Sequence, residues 1–250
     1  MTAIKNRIFA VPDIHGRLDL LDLLLLELTT NHSLDLTVDK IVFLGDMIDR
    51  GADSKGVIDR IKDLVDKHPD NVIALAGNHE WLCIDAHTQH SFDAKHIWWQ
   101  NGGHSTLKSF ELSNQFPSDQ DEFPKPVANI PDDYIKWMAS LPLSYEDNGF
   151  FFSHAPAPKE EYRSYRNQGQ DFTRHELTWT YDVDEESIAR DHGSGVIAYC
   201  GHIHRLWDNV MAPRFYEHYV FCDSGCGCSP KAPLVAVECG TQNVVYAWPT

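Results

Sequence analysis

The first 78 residues alternate between short apolar runs and longer segments with helical spacing, and this rhythm restricts the fold more than any other feature. Apolar runs at 7–11, 40–46 and 71–78 predict buried strands. The segments 18–30 and 54–67 carry apolar residues at the spacing of helices that pack on a sheet. Because strand–helix–strand alternation is typical of a parallel sheet, we predict an α/β fold.

The remainder of the chain breaks this rhythm and then returns to strands. Residues 81–140 predict a cap-like insertion of short helices. Two later runs, 149–155 and 195–204, predict strands that end in histidines, and the runs after Tyr216 predict an antiparallel meander. The chain has the length of one sizeable domain, so we predict a single domain over residues 1–250.

The predicted strands before the meander all end in residues that can bind a metal ion or a phosphate. One Asp or His after a strand is typical of an ordinary turn or a helix cap. Five such ends in one chain predict a shared site, because ligands of α/β sheets bind beyond the carboxyl ends of the strands. The residues are Asp13 and His15; Asp46, Asp49 and Arg50; Asn78 and His79; His154; and His202 and His204.

The mixture of carboxylates and imidazoles predicts two divalent metal ions. This donor set suits Mn²⁺, Fe and Zn²⁺, and we take Mn²⁺ as the first choice. Asp13 and His15 project to the same side of an extended chain and so can chelate one ion. Asp46 can offer one oxygen to each ion, and Asn78 adds a neutral carbonyl oxygen. Two ions about 3.5–4 Å apart can clamp a phosphoryl group and activate a water.

Composition narrows the partners and the compartment. The chain has 37 acidic and 21 basic side chains, which gives a formal charge of −16. This argues against a duplex nucleic acid partner, because phosphate neutralisation needs a basic face. The first residues lack the apolar stretch of a signal peptide, and no run is long enough to cross a membrane. Six cysteines without regular spacing do not predict a disulfide framework, so we expect a cytoplasmic protein without a membrane partner.

Five motifs carry a resemblance to the phosphoprotein phosphatases, a family of binuclear metallophosphoesterases that includes the protein serine/threonine phosphatases. They are DIHG (13–16), GDMIDRG (45–51), GNHE (77–80), SHA (153–155) and GH (201–202), in the family's order and spacing. Weaker similarity to bacterial members covers NGGHSTLKSF, LPLSYED and CDSG. The resemblance implies the metallo-dependent phosphatase fold, in which two facing mixed β-sheets are flanked by helices (α/β/β/α).

The resemblance also implies a role for each residue. The first ion would be bound by Asp13, His15 and Asp46. The second ion would be bound by the bridging Asp46 and by Asn78, His154 and His202.

The resemblance implies a direct reaction, in which a metal-bridging hydroxide attacks phosphorus in line without a phosphoenzyme. His79 would be the general acid that protonates the leaving alkoxide, and Asp49 would orient it and favour its charged form. Arg50 would bind two phosphate oxygens, as a bidentate guanidinium can, with Asn78 beside it.

Among the departures from the family pattern, His204 and Tyr181 bear most directly on the site. His204 resembles the wider metallophosphoesterase superfamily, where a second histidine reaches the first ion, so it is either a further ligand or a histidine beside the centre. Bacterial relatives often carry Trp-x-Arg where this chain has WTY (179–181), so a second phosphate-binding arginine is missing there. Arg163, Arg166 and Arg174 are candidates to replace it, and we take Arg174.

Two side-chain groups leave alternatives open. Trp98 and Trp99 predict either part of the core or the wall of a substrate groove, and the core is the more common place for such a pair. Cys222, Cys226 and Cys228 lack a fourth ligand at suitable spacing, so we interpret them as part of a small-residue loop near the cleft rather than a zinc knuckle.

These features predict a phosphomonoester hydrolase that acts on a phosphoprotein or a small phosphorylated substrate. Phosphoserine and phosphothreonine in proteins are the first choice, with phosphotyrosine as a further substrate. A first alternative is an enzyme like the symmetrical diadenosine tetraphosphatases, which cleaves dinucleoside polyphosphates and would use the 81–130 segment to contact nucleobases. A second alternative is a non-catalytic regulatory protein that binds a phosphorylated ligand, although the intact ligand set argues against it. The oligomeric state is unknown from the sequence.

Overall fold

The first of two central sheets carries the strands that the opening rhythm predicts. The computed structural model describes residues 6–89, 92–112, 127–156, 174–180 and 196–250. In spatial order, with strands numbered along the chain, the first sheet contains β10 (Val244–Ala247), β9 (Leu234–Glu238), β1 (Ile8–Val11), β2 (Lys40–Phe43) and β3 (Val72–Ala74). The last three run parallel, whereas β9 and β10 are antiparallel additions at one edge.

The second sheet faces the first. Its spatial order is β4 (Ser144–Asp147), β5 (Phe150–Ser153), β6 (Ile197–Cys200), β8 (Tyr219–Phe221) and β7 (Arg214–Phe215), with a parallel centre and antiparallel edges. One buried cluster joins the two sheets, because Ile8 and Val42 of the first pack with Phe152, Tyr199 and Val220 of the second.

Two helices follow β1 and β2, and their bounds match the periodic segments of the sequence. They are α1 (Leu18–Thr30) and α2 (Ser54–Lys67). Leucines of α1 pack with Phe9 and Val11 on the outer side of the first sheet. Asp53 begins α2 by accepting a 2.8 Å hydrogen bond from the backbone N–H of Gly56. Two facing mixed sheets flanked by helices confirm the predicted fold.

Short helices fill the part of the predicted insertion that the structure describes. They are α3 (Asn78–Thr88), α4 (Phe92–Trp98), a π-helical turn (Trp99–Gly103), α5 (His104–Ser109) and α6 (Asp132–Ser140); a further helix, α7 (Arg174–Trp179), lies beyond β5. Residues 113–126 of the insertion lie outside the described residues, and its bounds stay a prediction. Within the described ranges, none of the helices has the length and apolar character that a membrane crossing requires.

The predicted meander at the end of the chain is wrong in part. β8 lies in the second sheet, parallel to β6, whereas β9 and β10 lie in the first sheet and pair with each other in antiparallel fashion. Local alternation identifies a strand but carries no information about which of two sheets it joins. The sequence interpretation also missed the edge strand β4, which is polar, and β7, which has only two residues.

Candidate metal centre

The loops that follow β1, β2 and β6 hold several site residues in left-handed backbone conformations. The φ angles are 47° at His15, 51° at Asp46, 72° at Asp49, 65° at Arg50 and 64° at His202. Residues other than glycine rarely adopt this region, and they persist in it where the surrounding structure holds them. Backbone bonds join the loops, since the Asp46 carbonyl accepts from His15 N at 2.9 Å and the His15 carbonyl accepts from Gly51 N at 3.0 Å.

Glu80 is a buried organiser of the loop after β2, and the sequence interpretation gave it no role. Its carboxylate accepts backbone hydrogen bonds from Asp46 N (2.9 Å), Met47 N (2.8 Å) and Gly77 N (2.8 Å). Burial raises the pKa of Glu80 to about 7, and these hydrogen bonds oppose the rise. Its position three residues after Gly77 is the spacing of a capping box, which is the signal that could have identified it.

Two groups of side chains that could hold a metal ion meet at Asp46. The donor atoms of His15, Asp46 and His79 lie within 4.8 Å of one another, and so do those of Asp46, His154 and His202. All five side chains are buried. Asp46 uses different oxygens for the two groups: Oδ2 is 3.7 Å from His15 Nε2, and Oδ1 is 3.4 Å from His154 Nε2. This is the arrangement that a carboxylate bridging two ions requires.

Asp13 and Asn78 complete the two groups. Asp13 Oδ2 lies 3.8 Å from His15 Nε2, while its Oδ1 accepts a 2.9 Å hydrogen bond from the backbone N–H of His202. Asn78 Oδ1 lies 2.9 Å from His154 Nε2. The structure therefore brings together the six residues predicted for the two ions.

The chemistry of the donor set fits two divalent cations. His15 Nδ1 is 2.8 Å from the Ile48 carbonyl and His154 Nδ1 is 3.0 Å from the Leu44 carbonyl, so each ring turns Nε2 towards Asp46. Burial lowers the pKa values of His15, His154 and His202, which keeps the rings neutral, as metal ligands must be. Burial and the nearby Asp13 raise the pKa of Asp46 well above its usual value, a cost that a bound cation offsets.

Arg50 is the exposed residue of the site, and its guanidinium contacts both His15, a candidate metal ligand, and His79. Its Nη1 lies 2.5 Å from His15 Nε2 and 2.7 Å from Cys228 Sγ, and its Nη2 lies 3.0 Å from His79 Nε2. The guanidinium thus faces solvent at the edge of the donor groups. A phosphate that enters from solvent would meet two N–H donors there.

Asp49 is buried behind His79 and bonded from several sides. Asp49 Oδ2 lies 2.7 Å from His79 Nδ1. Trp98 Nε1 donates to both carboxylate oxygens (2.9 and 3.1 Å), and Thr106 Oγ1 donates to Oδ1 at 2.6 Å. Burial raises the pKa of Asp49 to about 7 against these hydrogen bonds, and burial with the Arg50 charge lowers the pKa of His79. Trp98 belongs to the core rather than a groove wall.

A sequence model of the calcineurin-like phosphoesterase family matches residues 6–206. The chain belongs to this family. The assignment makes it a hydrolase of phosphoesters whose activity depends on a binuclear metal centre. None of the curated proteins compared with this phosphoesterase matches it.

Solved structures share the fold of this phosphoesterase at low sequence identity. A candidate diadenosine tetraphosphatase is 15% identical, with a TM-score of 0.62 and coverage of 100% of this chain and 96% of that one. A serine/threonine phosphatase from Saccharomyces cerevisiae, with similarity to human phosphatase PP5, is 16% identical, with a TM-score of 0.60 and coverage of 100% and 81%. A cold-active protein-tyrosine phosphatase from a psychrophilic Shewanella is 16% identical, with a TM-score of 0.59 and coverage of 97% and 80%.

His204 lies at the mouth of the site of this phosphoesterase. It lines the same pocket as Asp13 and His202, and its ring centre is 5.5 Å from that of Trp207. Its Nδ1 accepts from Leu206 N at 3.4 Å, and burial lowers its pKa. Neither of the donor groups found among the described residues includes it, so its role as a ligand stays a prediction.

The structure does not bring Arg174 to the centre. Its guanidinium forms a 2.8 Å ion pair with Asp85 and lies 4.6 Å from the centre of the Trp81 ring. Both partners belong to α3, and neither they nor Arg174 line the pocket. Its predicted role in phosphate binding receives no support from this placement. The other candidates, Arg163 and Arg166, lie outside the described residues, as does Tyr181.

The cysteine cluster follows β8 and lies against the loop that follows β1. Cys222 and Cys226 are buried, and Cys226 Sγ is 3.5 Å from the Ile14 carbonyl. Cys228 contacts Arg50. All six cysteines of the chain are free thiols.

Proposed function

We propose that this chain is a metal-dependent phosphomonoester hydrolase that acts on phosphoserine and phosphothreonine in proteins, and also on phosphotyrosine. The observation that carries the proposal is the position of Arg50. Its guanidinium lies within 3.0 Å of both His15, from the metal-binding groups, and His79, which is paired with Asp49. One phosphate held by Arg50 would therefore lie beside the metal centre and beside a proton donor.

The proposed ligands hold two divalent ions, with Mn²⁺ as the first choice and Fe or Zn²⁺ as alternatives. They are Asp13, His15, Asp46, Asn78, His154 and His202, with His204 as a seventh candidate. When bound, such ions supply positive charge to the phosphoryl oxygens and activate a water. Arg50 adds a bidentate grip on the phosphate, and the Asn78 amide lies beside the same centre.

His79 is the proposed general acid. Its Nδ1 is hydrogen-bonded to Asp49. Its Nε2 lies 3.0 Å from Arg50 Nη2 and 3.8 Å from the Asp46 carboxylate. A proton on Nε2 would thus point to the place of the leaving oxygen. The Asp49 carboxylate accepts the hydrogen bond of the Nδ1 proton, so a second proton on Nε2 belongs to the charged ring. Asp49 stabilises that charged ring, which opposes the lowering of the His79 pKa by burial and by Arg50.

A second candidate function is the hydrolysis of dinucleoside polyphosphates, and one residue favours it. Trp207 lines the pocket beside Asp13 and His202 and is 65% exposed, so a nucleobase in the pocket could contact its indole. Arg205 lies 5.6 Å from this ring and pairs with Asp208, which restrains the turn that carries it. The ring of a phosphotyrosine would contact the same Trp207 indole.

The deciding experiment compares rates on matched phosphoserine, phosphothreonine and phosphotyrosine peptides and on diadenosine tetraphosphate, with the Mn²⁺-loaded protein. We expect the highest kcat/KM on the phosphoserine and phosphothreonine peptides. A higher value on diadenosine tetraphosphate would establish the second candidate instead. The variant His79→Asn, purified in the same way, controls for contaminating phosphatases.

We also propose a cytoplasmic location, which the six free cysteines support.

A further inference from the structure

We propose that Trp98 and Thr106 are positioning residues for the general acid, which hold the Asp49 carboxylate in the one orientation that directs His79. The inference rests on the proposed function of the site. It gives the helices after Asn78 a task in catalysis, since Trp98 ends α4 and Thr106 lies in α5.

The hydrogen bonds around Asp49 leave its carboxylate one orientation. Trp98 Nε1 bonds both oxygens from one edge, and Thr106 Oγ1 bonds Oδ1. Oδ2 is the oxygen that remains for His79 Nδ1, at 2.7 Å. These four side chains are at most 1% exposed, so water cannot replace a lost donor without entering the core.

Thr106 also holds the strained backbone of Asp49. Its Oγ1 lies 3.0 Å from the backbone N–H of Asp49 and 2.9 Å from Ser54 Oγ. Asp49 has a φ of 72°, a conformation that costs a non-glycine residue energy and needs such support. One hydroxyl therefore contacts both the backbone and the carboxylate of the residue that orients His79.

The π-helical turn between the two helices makes this arrangement sterically feasible. A Cβ on Gly103 would collide with the Trp98 indole, and Gly102 has a φ of 106°. The Gly102 carbonyl also accepts a 3.3 Å bond from the backbone N–H of Arg50. The same turn thus supports the residue that orients the acid and the residue that binds phosphate.

A positioning role predicts a dependence on the leaving group. An alkoxide leaves only with a proton, so hydrolysis of a phosphoserine peptide should need a correctly aimed His79. Dinitrophenolate is a stable anion that leaves without a proton, so hydrolysis of 2,4-dinitrophenyl phosphate should not need a correctly aimed His79. Loss of the hydrogen bonds to Asp49 should therefore slow hydrolysis of the phosphoserine peptide and leave hydrolysis of dinitrophenyl phosphate nearly unchanged.

The test compares Trp98→Phe and Thr106→Val with the wild type on both substrates, in the Mn²⁺-loaded protein. General acid catalysis contributes about 10²–10⁴-fold, and misdirection of the acid should remove part of that effect. We therefore expect kcat on the phosphoserine peptide to fall about 10- to 100-fold, with KM and the rate on dinitrophenyl phosphate nearly unchanged. Thr106→Ser, which keeps the hydroxyl, should restore the rate, and Trp99→Phe is the matched aromatic control.

Every outcome of this test is informative. Equal losses on both substrates, or no loss on either, would overturn the positioning role. A wild-type protein without activity on any phosphate ester would instead refute the proposed function. Thermal unfolding and metal content are measured for each variant, and if Trp98→Phe does not fold, the Thr106→Val and Thr106→Ser pair decides alone.

Discussion

The Nε2 atom of His79 lies 3.8 Å from Oδ2 of Asp46, within the same donor group as His15. The proposed acid is therefore as close to the shared carboxylate as a proposed ligand is. Its other nitrogen contacts a carboxylate rather than a backbone carbonyl, in contrast to His15 and His154. The distance from Asp46 does not distinguish a proton donor from a metal ligand at this position. The metal content of a His79 variant does distinguish them.

Replacement of His79 by Asn should abolish most activity and leave the metal content intact. The loss of a general acid typically costs about 10²–10⁴-fold in rate, whereas the two ions would still have all six proposed ligands. Turnover on a phosphoserine peptide and metal stoichiometry by elemental analysis check this. Loss of one equivalent of metal in the variant would make His79 a ligand.

Removal of metal should eliminate hydrolysis, because charge stabilisation and water activation depend on the ions. Exhaustive chelation followed by Mn²⁺ addition should abolish and then restore hydrolysis of p-nitrophenyl phosphate. Asp46→Asn should resist restoration, because Asp46 contributes an oxygen to both donor groups. Strong activity in the fully chelated wild type would rule out the binuclear mechanism.

Replacement of His204 by Ala tests whether a seventh residue binds metal. It lies outside both donor groups found in the described ranges, so we expect unchanged metal stoichiometry and at most a modest loss of affinity. His202→Ala is the matched control and should lose an ion. A comparable loss in the two variants would establish His204 as a ligand.

Asp39 should contribute to stability above about pH 4 and lose this contribution in acid. Burial acts to raise the pKa of Asp39, but hydrogen bonds from Arg7 and Asp35 outweigh it and hold the pKa below its usual value. A carboxylate with a lowered folded-state pKa stabilises above its unfolded pKa of about 3.9 and ceases to do so as pH falls through the folded value.

The corresponding variant is Asp39→Asn, studied by urea unfolding of metal-free protein. At pH 7 the free energy of unfolding should fall by roughly 1–3 kcal/mol, because a charged hydrogen-bonding group is lost from a buried position. This difference from the wild type should shrink below about pH 4. Asp63→Asn, which removes an exposed carboxylate from its pair with Lys67, should change the free energy by less than about 1 kcal/mol. A pH-independent difference for Asp39→Asn would contradict the assignment.

Local features of the fold could be predicted from the sequence, whereas sheet membership could not. The bounds of α1 and α2 follow from apolar periodicity within each segment, and the structure agrees with both. The place of β8 in the second sheet depends on pairing with β6, about twenty residues away. No pattern inside the strand specifies that partner.

The candidate site could also be predicted only where its residues lie in local motifs. Motifs at strand ends pointed to the candidate metal ligands that the structure brings together, because the carboxyl ends of parallel strands meet at one edge. The supports of Asp49 were missed, since Trp98 and Thr106 reach it from helices 49 and 57 residues later in the chain. Arg174 was taken as the replacement for the missing phosphate-binding arginine, yet its charge pairs with a carboxylate on α3.

The left-handed residues in the loops after β1, β2 and β6 bear on how the proposed centre would acquire its ions. His15, Asp46 and His202 hold their conformations through bonds to neighbouring loops and to Asp13 and Glu80, all supplied by the chain itself. Because these hydrogen bonds come from the chain itself, we expect them to offset the energetic cost of the conformations before an ion binds. Uptake should then be limited by how fast an ion sheds its water, and one divalent ion should exchange for another without refolding of the loops.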